Sequence, residues 1–136
     1  MSPDGRWLAY QSDEGGENQI YVRPFPDVNR GRWQVSPGGG IKPVWSRNGR
    51  ELFYLDGRSL LAVPVQTATT FTAGTPVKLF EGPYFTALGG RSFDVSPDGQ
   101  RFVMIRETPE QGQRSDESIA VVLNWKEELK RRVAAP

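Results

Sequence analysis

The chain holds 136 residues, 37% hydrophobic and 24% charged, the composition of one ordinary folded domain. Seventeen Lys and Arg against sixteen Asp and Glu leave a net charge of +1, so no broad field gathers nucleic acid or an anionic membrane. With neither Cys nor His, disulfides, thiolate metal sites and imidazole acid–base chemistry are excluded, and no apolar run approaches the roughly 18 residues of a membrane span.

In chain order, Met1 is followed at once by the turn motif Ser2-Pro3-Asp4-Gly5, without a basic-then-apolar leader pattern. This start inside a turn is expected of a boundary cut within a longer protein. A first unit, 1–40, is predicted to hold strands near 6–11, 19–24 and 32–36 and to lack an innermost strand. It closes on Pro37-Gly38-Gly39-Gly40, read as a flexible connector. A second unit, 41–82, is predicted to hold strands near 42–46, 51–55, 60–65 and 77–80. A third, 83–124, is predicted to hold strands near 91–96, 101–106 and 118–123, with no recognisable outer strand. The polar stretch 107–118 between the last two reads as a mobile hairpin loop. In the tail, 125–136, Asn124 and Glu127 have capping-box spacing. Trp125, Leu129 and Val133 fall on one stripe, and Lys130, Arg131 and Arg132 sit at the favourable end of the dipole, so a short amphipathic helix is predicted at 125–133 with a solvated basic end.

The units repeat. Ser2-Pro3-Asp4-Gly5 recurs as Ser46-Arg47-Asn48-Gly49, 44 residues on, and as Ser96-Pro97-Asp98-Gly99, a further 50 residues on. Pro presets φ for a type I turn, Asp or Asn suits the third place, and Gly suits the last. The apolar stretch behind each turn also matches: Leu8-Ala9-Tyr10, Leu52-Phe53-Tyr54 and Phe102-Val103-Met104. Ile20-Tyr21-Val22-Arg23-Pro24-Phe25 pairs with Leu60-Leu61-Ala62-Val63-Pro64-Val65, each with a late Pro tolerated at a strand end. Consecutive apolar positions such as Leu52-Phe53-Tyr54-Leu55 call for sheets covered on both faces. A β-sandwich is the structural alternative, but it gives no reason for the period.

These motifs resemble the TolB-like, WD-like β-propeller repeat. Four stretches (residues 5–26, 49–65, 93–105 and 121–132, the last reading Val-Val-Leu-Asn-Trp-Lys-Glu-Glu-Leu-Lys-Arg-Arg) are similar to the C-terminal propellers of bacterial serine/threonine protein kinases that carry them after a kinase domain and a membrane span. The resemblance implies an all-β fold of three four-stranded antiparallel blades, half of a six-bladed ring, followed by a short C-terminal helix. It implies a sensing or scaffolding role, in a parent anchored in a membrane with the propeller on its outer side. The kinase loops are absent, so that activity is not carried over. The second turn departs from the family in having Arg47-Asn48 for Pro-Asp.

Three blades cannot close a ring, since closed propellers need about 4–8. The expected partner is a second copy, joined head to tail around a two-fold axis, or else upstream blades of a longer parent. Candidate chemistry is thin. Asp4, Asn48 and Asp98 recur at the turns, where stabilising the turn explains them better than a calcium ring. Asp13, Glu14 and Glu17, and Asp116 with Glu117, read as solvated loop acids rather than a glycosidase pair. Ser-based hydrolysis lacks its elbow and its base. Trp7, Trp33, Trp45, Tyr21 and Phe25 are expected to pack between blades. The candidate binding surface is the apolar, glycine-flanked loop 82–90, with Tyr84 and Phe85, joined by Arg91, Arg47 and Arg50.

The chain is therefore expected to be a non-enzymatic module for binding a protein or small ligand, with no cofactor and no metal. The alternative is an accessory propeller gating a prolyl-oligopeptidase-like hydrolase domain outside this chain. A third possibility is a structural piece with no ligand of its own.

Overall fold

The computed structural model describes residues 1–107 with their side chains and the backbone of 118–122. The predicted helix at 125–133, the acids Asp116 and Glu117 and most of the loop 107–118 lie outside the described residues. The described chain is all-β, its strands antiparallel, and no sheet closes on itself. It divides into two compact units, Met1–Phe80 and Glu81–Pro136.

In the first unit, β1 (Trp7–Ser12), β2 (Gln19–Pro24) and β3 (Trp33–Gln34) form one sheet in that order. A 3-10 turn, Val28–Arg30, capped by the Asp27 side chain, leads from β2 to β3, and the Phe25–Pro26 peptide bond is cis. The next sheet runs β4 (Ile41–Trp45), β5 (Glu51–Asp56), β6 (Ser59–Gln66). β6 then pairs with both β7 (Thr72–Ala73) and β8 (Val77–Glu81). One outer strand was expected here, near 77–80. Gly74 and Pro76 break the outer edge in two, because Pro cannot donate to the ladder. The three sheets thus hold three, five and three strands, not four each. β3 is only two residues long, and among the described residues no strand precedes β1.

Leu52, Phe53, Tyr54 and Leu55 are all 1% exposed or less, so β5 is covered on both faces. The core of this unit is shared by its two sheets, with Trp7, Ile20 and Val22 of the first packing with Trp45, Leu52, Tyr54 and Val63 of the second. β4 packs beside β1 and β2. Phe71, on the loop after β6, enters the same cluster. Its ring centroid lies 5.6 Å from that of Trp7 and 5.8 Å from that of Trp33. Trp7, Trp45 and Tyr21 are buried, as expected of packing residues; Phe25 is exposed and Trp33 half-buried.

The connector Pro37–Gly40 departs from its flexible expectation. Gly39 and Gly40 are buried, and the Gly40 amide donates to the Asn18 carbonyl at 2.8 Å. In β4, the register shifts between Ile41 and Val44, and Lys42 takes φ 57° at that irregularity. Its amide donates to the Gln11 side chain at 2.9 Å.

In the second unit, β10 (Phe102–Arg106) is the centre of a sheet with β9 (Phe93–Val95) on one side and β11 (Ser118–Val122) on the other. Phe93, Phe102 and Met104 are its buried hydrophobic side chains among the described residues.

Candidate functional site

The three repeated turns share one hydrogen-bond network. In the first, the Ser2 hydroxyl donates to Asp4 Oδ1 at 2.6 Å and accepts from the Trp7 amide at 2.9 Å. Asp4 Oδ1 also accepts from the Arg6 amide at 3.1 Å. In the second turn, Ser46 donates to Asn48 Oδ1 at 2.8 Å and accepts from the Glu51 amide at 3.0 Å, while Asn48 accepts from the Arg50 amide. In the third, Ser96 donates to Asp98, which accepts from the Gln100 amide, and Ser96 accepts from the Arg101 amide. Gly5, Gly49 and Gly99 close the turns at φ 72°, 70° and 69°, a left-handed region that favours glycine. Pro3 and Pro97 are exposed, as is Arg47 in the equivalent place. The recurring oxygens are thus engaged by their own turns, and among the described residues no three acidic side chains are grouped to hold a metal ion.

The Ser2 hydroxyl above all, with the Arg6 amide and charge, holds the Asp4 carboxyl below its ordinary value, against the opposing effect of burial. The Ser96 hydroxyl, the Gln100 amide and the Arg101 charge do the same for Asp98. A carboxylate depressed in the folded state adds stability above its unfolded pKa, about 3.9 for Asp, and loses it as pH falls through the folded value. Stability should therefore hold on acidification until about pH 4 and then decline. Asn48 accepts the same two bonds, from the Ser46 hydroxyl and the Arg50 amide, without titrating. The double variant Asp4→Asn/Asp98→Asn should keep the turns and flatten that decline. Urea midpoints measured from pH 7 to pH 2.5 check this, and a slope equal to the parent's would refute it.

Beside the second turn lies an open recess of about 720 Å³, bounded by Arg50, Pro64, Val65 and Gln66, by Thr67 and Ala68 of the following loop, and by β7 with Gly74. Arg50, one of the expected site residues, lines it together with Asn48 and Gly49 of the turn. Arg50 is the only charged group in this lining, and it makes no side-chain hydrogen bond or ion pair among the described residues. Its place is fixed by the turn before it and by the Val65 amide, which donates to the Arg50 carbonyl at 2.9 Å. Arg47 is exposed and outside the lining.

The other expected residues belong to the second unit. Tyr84 is half-buried and forms an isolated bridge with Arg106; burial raises its hydroxyl pKa, with the Arg106 charge opposing. The Phe85 amide donates to the Ile105 carbonyl at 2.9 Å, and Phe85 is 44% exposed. Arg91 pairs with Asp94 at 3.0 Å, both well exposed, a pair worth little in water. Leu88 at the loop tip is fully exposed. Asp13, Glu14 and Glu17 are exposed, and Glu14 binds Arg32 at 2.7 Å, with that guanidinium lying over the Tyr21 ring.

Sequence reasoning missed the loop 67–74 as a wall, and it missed Arg6 as the counterpart of Arg50. The second had a signal, since each Arg comes directly after a Ser-x-x-Gly turn. No protein-family model and no curated protein matches the chain.

Proposed function

We propose that the chain is three consecutive blades of a TolB-like β-propeller and acts as a non-enzymatic module that binds a protein or small ligand at its loop rim. The observation that supports this most is the single hydrogen-bond network repeated at residues 2–7, 46–51 and 96–101, each copy opening an antiparallel strand pair. Two neighbouring sheets that share one core, with β5 covered on both faces, fit blades stacked side by side. Binding rather than turnover suits a chain with no His or Cys and turn acids engaged in their own turns. Three blades are half of a six-bladed ring, which a second copy completes head to tail; in a longer parent, upstream blades take that role. By its resemblance to kinase-linked propellers, such a parent would sit in a bacterial membrane with the ring outside.

Two copies fused in tandem provide the test. Light scattering should give a monomer of twice the 15.2 kDa chain mass, and unfolding should be one transition at a higher temperature than the single chain. A fusion that goes on associating into larger species would count against a ring of six.

A further inference from the structure

We propose that a second recess, at the end of β1 and β2, binds a small planar organic anion, in chemical class an aryl carboxylate, through Arg6 and Arg30. The recess has a volume of about 360 Å³ and is lined by Arg6, Arg30, Trp33, Phe25, Thr69 and Thr70, together with Pro24 and Trp7. That volume suits a molecule of the size of one ring with a charged group. The lining holds two guanidiniums and no carboxylate. Neighbouring arginines are already engaged: Arg23 donates to the Tyr10 hydroxyl and the Val28 carbonyl, and Arg32 binds Glu14. Arg6 and Arg30 make no side-chain hydrogen bond or ion pair among the described residues, although the charge of Arg6 acts on Asp4 across its turn. A guanidinium offers paired N–H groups that match a carboxylate. Trp33 and Phe25 supply apolar walls for a ring, and Thr69 and Thr70 add hydroxyls. The Trp7 indole Nε1 is buried without an acceptor but is closed to solvent, so the anion's oxygens fall to the arginines.

The repeat itself builds this recess. Arg6, Pro24 and Phe25 hold the places that Arg50, Pro64 and Val65 hold in the larger recess. The Phe25 amide donates to the Arg6 carbonyl at 2.8 Å, as the Val65 amide does to Arg50 at 2.9 Å. The first copy adds a second Arg and three aromatic residues, Trp7, Phe25 and Trp33, which the other recess lacks. Its Thr69–Thr70 wall is pinned by the next residue, Phe71, packed against Trp7 and Trp33. A wall fixed before binding spares the ligand the cost of ordering it.

This inference takes from the proposed binding role only its purpose. It needs no closed ring, so the tandem fusion and a benzoate titration can fail separately. Benzoate titrated into the full chain, monitored by tryptophan fluorescence and amide chemical shifts, should bind saturably with a Kd of roughly 1 mM. Benzamide, of the same shape without the charge, should bind at least about ten-fold more weakly. The double variant Arg6→Gln/Arg30→Gln should lose about ten-fold or more, and Arg58→Gln, outside the lining, should change little. If the double variant melts early, Arg30→Gln alone carries the test, with a loss of about three-fold. Failure of benzoate to saturate, equal affinity for benzamide, or retained affinity in the arginine variants would overturn the assignment.

Discussion

Phe71→Ala is expected to destabilise the first unit by about 3–5 kcal/mol, the range for removing a fully buried phenylalanine. Phe71 is 1% exposed, and its ring lies within 6 Å of two tryptophan rings that belong to the other sheet. Truncation removes aromatic contacts on two sides and leaves a cavity that Trp7, held in β1 and itself 6% exposed, has little freedom to fill. Phe71→Leu should cost clearly less, because most of the volume remains. The same truncation should release the Thr69–Thr70 wall and abolish benzoate binding in whatever fraction stays folded. Urea unfolding monitored by tryptophan fluorescence checks the effect. A loss below about 1 kcal/mol would mean that the loop is not anchored there.

Gly40→Ala and Gly38→Ala should move stability in opposite directions although only Gly39 separates them. A Cβ on Gly40 would meet Tyr54 Cδ2 at 2.8 Å and Ile20 Cγ1 at 2.9 Å. Both neighbours are buried, at 1% and 0% exposure, and they come from two different sheets. Such overpacking costs about 1–3 kcal/mol. A Cβ on Gly38 meets nothing within 4 Å. There the main effect is on the unfolded chain, a gain of up to about 1 kcal/mol. Midpoints of urea denaturation for the two variants decide the matter, and equal, small changes would show the connector to be loose.

The strands were legible because their signal is local. Apolar residues in consecutive places, a late Pro and a turn of fixed chemistry located β1, β2, β5, β6 and β10 to within about two residues. The outer edge of the second sheet was read only in part, since its break depends on the Gly74 amide, which donates to the Pro64 carbonyl of β6, and on Pro76, which has no amide to donate. Phe71 was not legible as an anchor. It stands among Ala68, Thr69, Thr70 and Thr72 with no alternation around it, and its partners Trp7 and Trp33 are remote in sequence. Gly40 was misread for a related reason: in a Pro-Gly-Gly-Gly run, composition cannot separate a residue that must be small from one that is merely flexible. The recesses exist only because loop 67–74 folds back beside two turns, so Arg50 could be singled out as a charge but not as the lining of a recess. Arg47, Arg50 and the Tyr84–Arg91 loop were grouped by residue type. The first two stand in one unit and the rest in the other.

Blades that close a ring in pairs would leave a definite signature in solution. Light scattering on the single chain after size exclusion, across a ten-fold range of concentration, is the most direct measurement. Three blades completing a six-bladed ring predict one sharp species at twice 15.2 kDa, with a radius that does not change with dilution. A compact monomer at the chain mass throughout that range would contradict the two-chain ring.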